Sequence, residues 1–187
     1  MPGHDESGSL PHSGEGTLIV RREHGLLQAR LAVRNQHHRP FLACATEVAR
    51  LMHLGEAPDV PEARRARHLA HAVRKPLLER AHLPEEFFAP LLTAAVYDPD
   101  PSFCRWFVEP AVYAFGRRRV MTTLLDNLRA GTHAEQAGAK RAWYCAHVPL
   151  RADRSPAYAP GGSRDPALDE SRDVMEEWRE ALQRSAM

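Results

Sequence analysis

Apolar residues recur every three or four positions along most of the chain between Pro40 and His147. This spacing places them on one face of an α-helix, whereas a half-buried strand requires alternation at every second position. Prolines and glycines divide the pattern into successive segments. The sequence therefore predicts an all-α protein, with antiparallel helix hairpins stacked as a short solenoid or packed as a compact helical bundle.

The first two predicted helices both follow prolines. One begins at Pro40 and ends before Gly55 and Pro58, and the next begins after Pro61. We expect Pro76 to kink or divide the second helix, because proline cannot donate the backbone hydrogen bond of a helix interior. The inner faces carry Phe41, Leu42, Ala45, Val48, Ala49, Met52, Ala63, Ala66, Leu69, Ala70, Val73 and Leu77.

Four further helices are predicted between residues 82 and 148. The first starts with a proline and two acids, and it ends at the Asp98–Pro101 segment, which also caps the next helix. Gly116 separates the second helix from the third. Gly131 suits a left-handed position after the third helix, and Thr132 is the expected N-cap of the fourth.

The same patterns divide the chain into four parts. Residues 1–16 are predicted to be a disordered arm, 17–150 a helical domain, 151–168 a linker, and 169–187 a C-terminal amphipathic helix. Residues 17–33 fit either one imperfect helix or a short strand followed by a helix, and their pattern leaves this open. The apolar face of the last helix carries Val174, Met175, Trp178, Ala181 and Leu182.

Two segments suggest a known architecture. Asp98–Pro101 opens one predicted helix pair, and Thr132–Ala142 opens the next with small residues that permit close approach. Residues from about 83 to 148 thereby resemble HEAT-like helical repeat proteins, whose units are paired antiparallel helices. The resemblance implies a binding surface or scaffold and no particular chemistry. A compact bundle stays the alternative, because the spacing is not one clean period along the chain.

Composition narrows the classes of partner and compartment. The formal net charge of +1 provides no global basic excess, so nucleic acid is a disfavoured partner. No apolar run reaches the ~18 residues of a membrane span, so no membrane partner is expected. Three separated cysteines without a CxxC pair, and a start without a secretory signal, predict free thiols in the cytoplasm. Abundant arginine, alanine and proline are typical of GC-rich bacterial genomes.

A run of three arginines is the main candidate binding site. Arg117, Arg118 and Arg119 begin a predicted helix, where cations oppose the helix dipole. Guanidinium groups and free backbone N–H groups together suit a phosphate or an acidic partner. The acidic C-terminal segment around Asp173 is a candidate partner within the chain, and a solvated basic face is the alternative.

Aromatic residues form a second candidate site. Trp106 and Tyr113 are seven positions apart and share a helix face, which we expect to be separate from the face of Phe103 and Phe107. These side chains would line a ligand pocket or belong to the core. We expect Trp143 to pack between stacked hairpins.

The remaining polar constellations favour no reaction. His68 and His71 lie on one helix face, but no glutamate stands between them as a zinc protease motif requires, so we predict no metal and no cofactor. The adjacent pair His37 and His38 is likewise interpreted as structural. Arg105 and Glu109 are spaced as a surface ion pair.

No nucleophile elbow, glycine-rich phosphate loop or paired ExxH unit occurs, so no catalytic residue is assigned. We expect a non-catalytic interaction or scaffold module that presents a helical surface to a protein partner or to a second copy of itself. The alternative is a helical protein that acts on a small molecule or nucleic acid through an aromatic and arginine pocket around residues 103–119 and 143. This alternative includes an enzyme.

Overall fold

A computed structural model of the protein describes residues 38–55, 59–80, 82–147 and 166–185. Within these ranges the chain is helical and contains no strand, so the predicted all-α fold class is confirmed. None of the helices in the described ranges has the length and apolar character needed to cross a membrane. The predictions for residues 1–16 and 17–33, and for nearly all of the linker, lie outside the described residues.

The helices follow one another with short connections. The described part of α1 covers residues 38–51, and a 3₁₀ turn at Glu85–Phe87 precedes α3. The other helices are α2 (Glu62–Glu79), α3 (Phe88–Tyr97), α4 (Arg105–Phe115), α5 (Arg117–Ala130), α6 (His133–Ala146), α7 (Pro166–Asp169) and α8 (Arg172–Ser185).

Helices α3 to α6 form a closed ring of contacts. Each packs on the next in the chain, and α6 returns to pack on α3. Such a ring is the neighbour pattern of a helical bundle. Outside the ring, α2 contacts α4 and α8 contacts α5. The resemblance to HEAT-like repeats stays a prediction.

The ring is closed by a close approach between α6 and α3. Gly138 on α6 lies against Val96 on α3, and a Cβ at residue 138 would overlap the Val96 carbonyl oxygen. Only glycine allows the two backbones to come this near. The small residues at the start of α6 therefore serve helix packing, as their sequence pattern indicates.

The turns at Gly116 and Gly131 use glycine differently. Gly116 joins α4 to α5 with a φ of 85°, in the region that residues with a side chain rarely adopt. Gly131 has a φ of −74° and a ψ of 165°, so the prediction of a left-handed conformation there is wrong. The extended backbone leads directly into Thr132, which caps α6 in a capping box with Glu135.

Pro76 lies inside α2, which continues unbroken to Glu79. Division of the helix, one of the two predicted outcomes, is therefore wrong. Pro76 stands in the last turn of α2, so little helix follows it, and the buried Val73 and Leu77 on either side keep this turn packed on the core.

A buried carboxylate connects α2 to the turn after α3. Asp98 has no exposed surface; it accepts hydrogen bonds from Arg67 at 2.6 and 3.3 Å and from the backbone N–H of Asp100 at 2.9 Å. Burial raises the pKa of Asp98, and the Arg67 guanidinium opposes that rise. Arg141 on α6 donates to the carbonyl oxygens of Val96 and Asp98. The Asp98–Pro101 segment is thus an anchor for three elements.

Candidate interaction surface

Arg117, the first of the three candidate arginines, is part of the core. Its side chain is 2% exposed, and its guanidinium donates a hydrogen bond to the carbonyl oxygen of Ala146, the last residue of α6. The last carbonyl groups of a helix lack partners within it and carry the negative end of the dipole. Arg117 therefore stabilises the end of α6, and its burial removes it from any surface site.

Arg118 holds the C-terminal helix. Its guanidinium donates two hydrogen bonds of 2.6 Å to the carboxylate of Asp173 and one to the carbonyl oxygen of Glu170. Asp173 lies in the first turn of α8, where a negative charge is favourable, and Arg118 holds the pKa of Asp173 low, at about 2. The acidic C-terminal segment is therefore the partner of this arginine within the chain.

Arg119 contacts the turn before α3. It forms a paired hydrogen bond with the carboxylate of Glu85, and its guanidinium carbon lies 3.9 Å from the ring centroid of Phe88. The pKa of Glu85 is lowered by this hydrogen bond. The three consecutive arginines thus contact three different parts of the protein and do not form one anion site.

Trp106 faces α2 and the turn before α4. Its ring centroid lies 4.4 Å from that of Phe103 and 4.5 Å from that of His71, and the Arg74 guanidinium lies 4.7 Å away. The prediction that Trp106 and Phe103 occupy separate faces is wrong. Phe103 precedes the first residue of α4, so helical spacing does not apply to it. Tyr113 is half-buried farther along α4.

Trp143 stacks on the C-terminal helix. Its ring lies parallel to that of Trp178, with centroids 3.9 Å apart and an interplanar angle of 1°, and it is 9% exposed. The adjacent His147 ring is 5.0 Å away, and its Nδ1 lies 3.0 Å from the Trp143 carbonyl oxygen. Trp143 and Trp106 have different ring partners, so the arginine and aromatic residues of the predicted pocket are distributed over separate contacts.

An open groove lies over this tryptophan pair. It measures about 430 Å³ and runs between α6 and α8. Tyr144 forms its rim and is 78% exposed. Among the described residues, no other large apolar side chain is exposed. The groove is lined by Lys140, Trp143, Tyr144, His147, Trp178 and Leu182. An apolar floor with an exposed aromatic rim and two basic groups suits an apolar anchor that carries a nearby negative charge.

A second cavity of about 420 Å³ lies between α1 and α2. Its charged groups are already paired within the chain: Arg50 with Glu47 at 2.7 Å and Arg65 with Asp59 at 3.4 Å. Its walls are Leu42, Thr46, Ala49, Arg50, Leu54, Gly55, Arg65 and Leu69. These pairings make it a weaker candidate for a charged ligand than the groove over the tryptophans.

The other predicted polar groups lie on the surface. His68 and His71 are exposed on α2, and Arg105 pairs with Glu109 at 3.1 Å as expected. In the described part of the chain, no three histidine, cysteine or acidic residues are grouped closely enough to hold a metal ion.

No protein-family model matches the sequence, and the searches of curated proteins and of solved structures found no match. The function of this chain is therefore inferred from its own geometry.

The groove was not predicted from the sequence, because two helices that are far apart in the chain, α6 and α8, form its sides. Tyr144 follows Trp143 directly, so the two side chains point in different directions on α6, and here Trp143 is buried whereas Tyr144 is exposed. The signal that pointed here was the apolar face of the C-terminal segment, which needs a partner to cover it. The sequence did not show that α6 is that partner.

Proposed function

We propose that the protein is a non-catalytic interaction module that binds a protein segment in the groove between α6 and α8. The observation that carries the proposal is the 78% exposure of Tyr144 at the rim of an apolar groove. Aromatic side chains on a surface are costly to leave in water and are enriched at the energetic centres of protein interfaces.

The groove has the form of a docking site for a peptide segment. Its floor, the stacked Trp143 and Trp178, is rigid because both rings are nearly buried. Rigid aromatic surfaces lose little conformational entropy when a partner binds. A small-molecule pocket encloses most of its ligand, whereas this groove has exposed residues, Lys140 and Tyr144, along its edge.

The charges beside the groove define the partner. Lys140 lies along it and supplies hydrogen-bond donors for a carboxylate, whereas the Nδ1 atom of His147 already lies 3.0 Å from the Trp143 carbonyl oxygen. The proposed partner segment therefore carries an aromatic or aliphatic anchor residue next to an aspartate or glutamate. Electrostatic complementarity of this kind sets orientation and specificity more than total affinity.

Selection from a random peptide display library tests this proposal. We expect selected peptides to contain an apolar residue beside an acid, and we expect Tyr144→Arg to weaken their binding about 30-fold, the loss typical of a central aromatic contact. Thr122→Arg, an exposed position on α5, is the matched control and should bind like the parent protein. Selected peptides that bind Tyr144→Arg and the parent equally would refute the groove as the site.

The exposed face of α2 supports a second candidate function. Arg64, His68, His71 and Lys75 are spaced four, three and four positions apart, so they form one stripe, and all four are exposed. Arg64 and Lys75 carry positive charge, and a basic helix face suits a nucleic-acid backbone; Lys75 also lies 3.7 Å from Glu79. Arg74, over the Trp106 ring, lies beside this stripe.

Fluorescence anisotropy with a short labelled single-stranded DNA tests the second candidate. Binding that falls steeply with added salt and is lost in Arg64→Glu with Lys75→Glu would support it, since each neutralised phosphate contributes to the salt dependence. Glu62→Gln is a control at the start of the same helix. The absence of binding at low salt would exclude nucleic acid and leave the groove as the proposed site.

A further inference from the structure

Two cysteines that are distant in sequence lie side by side. Cys104 immediately precedes α4, and Cys145 lies in the last turn of α6. Their Sγ atoms are 3.4 Å apart, although the residues are separated by 41 positions. Both are free thiols in the structure, and the third cysteine, Cys44, lies on α1. A disulfide bond of about 2.05 Å would need the two sulfur atoms to approach by little more than an ångström.

The two thiols have different surroundings. Cys104 has no exposed surface, and its thiol lies 3.3 Å from the carbonyl oxygen of Pro101. Cys145 is half-buried, so part of this residue is in contact with solvent. Cys145 is therefore more accessible to a reagent in solvent than Cys104, which is enclosed by the protein.

Electrostatics favour the same assignment. The hydrogen bond between the two sulfur atoms lowers the pKa of Cys145, and the nearby Arg105 adds to this effect, while burial and Glu109 oppose it. The hydrogen bond with the Cys145 sulfur raises the pKa of Cys104, and burial and the negative charge of Asp98 act in the same direction. The positive charge of Arg141 opposes this rise weakly. Because the thiolate is the reactive form, these pKa directions and the greater exposure of Cys145 both favour Cys145 as the nucleophile of the pair.

We propose that Cys145 is an oxidation site for hydrogen peroxide and that Cys104 resolves it into a disulfide bond within the chain. The Cys145 thiolate attacks one peroxide oxygen, the O–O bond breaks, and the departing hydroxide takes a proton to become water. The Cys104 sulfur then attacks the sulfur of the sulfenic acid, displacing its oxygen, which leaves as water with the Cys104 proton. Two thiols lose two electrons, and one peroxide is reduced to two waters.

The disulfide would join the start of α4 to the end of α6, beside the groove. Cys145 directly follows Tyr144 on the rim, and it precedes His147 by two positions. A covalent link at this point restrains the last turn of α6. The oxidation site does not depend on the proposed function, because its evidence is the distance between the two sulfur atoms and their different surroundings.

Peptide mapping by mass spectrometry after peroxide treatment tests the proposal on the full chain. We expect a peptide pair linked through Cys104 and Cys145 that disappears on reduction, while Cys44 stays alkylatable. Cys44 is the internal control, because burial, with a smaller contribution from Glu47, raises its pKa. Loss of Cys44 at the same rate as Cys145, or the absence of the linked pair, would overturn the assignment.

Two variants separate the roles of the sulfurs. In Cys104→Ser, the sulfenic acid on Cys145 has no resolving thiol, so we expect it to accumulate and to be trapped by dimedone. In Cys145→Ser, we expect oxidation of Cys104 to slow at least about tenfold, because the buried thiol reacts poorly by itself. Equal oxidation of Cys104 in this variant and in the parent chain would show that Cys145 is not the entry point. The parent-chain mapping decides the proposal even if a variant fails to fold.

Discussion

The ring of α3 to α6 and the junction of α8 with that ring are held in different ways. The ring is held by buried apolar side chains and by the close contact of Gly138 with Val96, and both require complementary shapes. At the junction, the stacked Trp143 and Trp178 are flanked by exposed ion pairs, Arg118 with Asp173 at 2.6 Å and Arg129 with Glu177 at 2.7 Å.

This difference has a functional consequence. Exposed ion pairs are screened by salt and contribute little individually, so the buried apolar side chains of α8, Trp178 among them, carry most of the junction. Because α8 forms one side of the groove, conditions that loosen α8 also change the proposed binding surface. The ring should remain intact under the same conditions.

Removal of residues 165–187 tests the junction as a whole. The truncation uncovers Trp143 and deletes the buried Val174 and Trp178. We expect the melting temperature to fall by about 6–20 °C, with a greater fall at low salt, where the attraction of Arg118 for the acidic segment is least screened. Helical circular dichroism of the ring should persist. A truncated chain that melts like the full protein would show that α8 adds no stability.

The substitution Trp143→Ala isolates the aromatic stack. We expect a loss of about 3–5 kcal/mol in the free energy of unfolding, measured by chemical denaturation, as for an emptied aromatic site. In the truncated chain the same substitution should cost much less, because Trp178 is already absent. Additive effects of the substitution and the truncation would argue against direct coupling through the stack.

The substitution Gly138→Ala tests the ring. The new methyl group would overlap the Val96 carbonyl oxygen, a backbone atom that cannot rotate away. We expect a loss of about 1–3 kcal/mol despite the higher helix propensity of alanine. Gly55→Ala is the matched control, because a Cβ there meets no atom within 4 Å. Salt should not alter the difference, and a strong salt dependence would contradict the distinction between ring and junction.

Acid should weaken the contact between Arg118 and Asp173, with the smallest effect of the four. The folded pKa of Asp173 is about 2, below the ordinary value of about 3.9, so its contribution is present above pH ~4 and is lost as the pH falls toward 2. Asp173→Asn should remove this part of the pH dependence, and Arg118→Glu should lower the melting temperature slightly. An unchanged stability profile in Asp173→Asn would show that the ion pair is not formed in solution.

Much of the local structure was predictable from neighbouring residues. The 3.6-residue period identified α2 to α6, and Thr132 predicted the start of α6. The glycine turn at Gly116 was also recognisable. Each of these features depends on residues within a few positions of one another, where backbone geometry and capping decide the outcome. The conformation of Gly131 was predicted wrongly, because it is set by the N-cap of α6 at the next residue, Thr132.

The helices, the N-cap of α6 at Thr132 and the apolar face of α8 could be predicted from local sequence, since periodicity and capping are local properties. The expected cap of α4 by the Asp98–Pro101 segment is wrong, because the N-cap of α4 is Cys104, which forms no side-chain cap hydrogen bond. Only the tertiary structure decided that Arg117 closes the end of α6, that Arg118 holds a carboxylate 55 positions away, and that two cysteines meet across 41 positions. Adjacent residues on a helix point in different directions, so the run of arginines has three unrelated partners. Which partner each one meets depends on how the helices pack, and no local pattern encodes that contact.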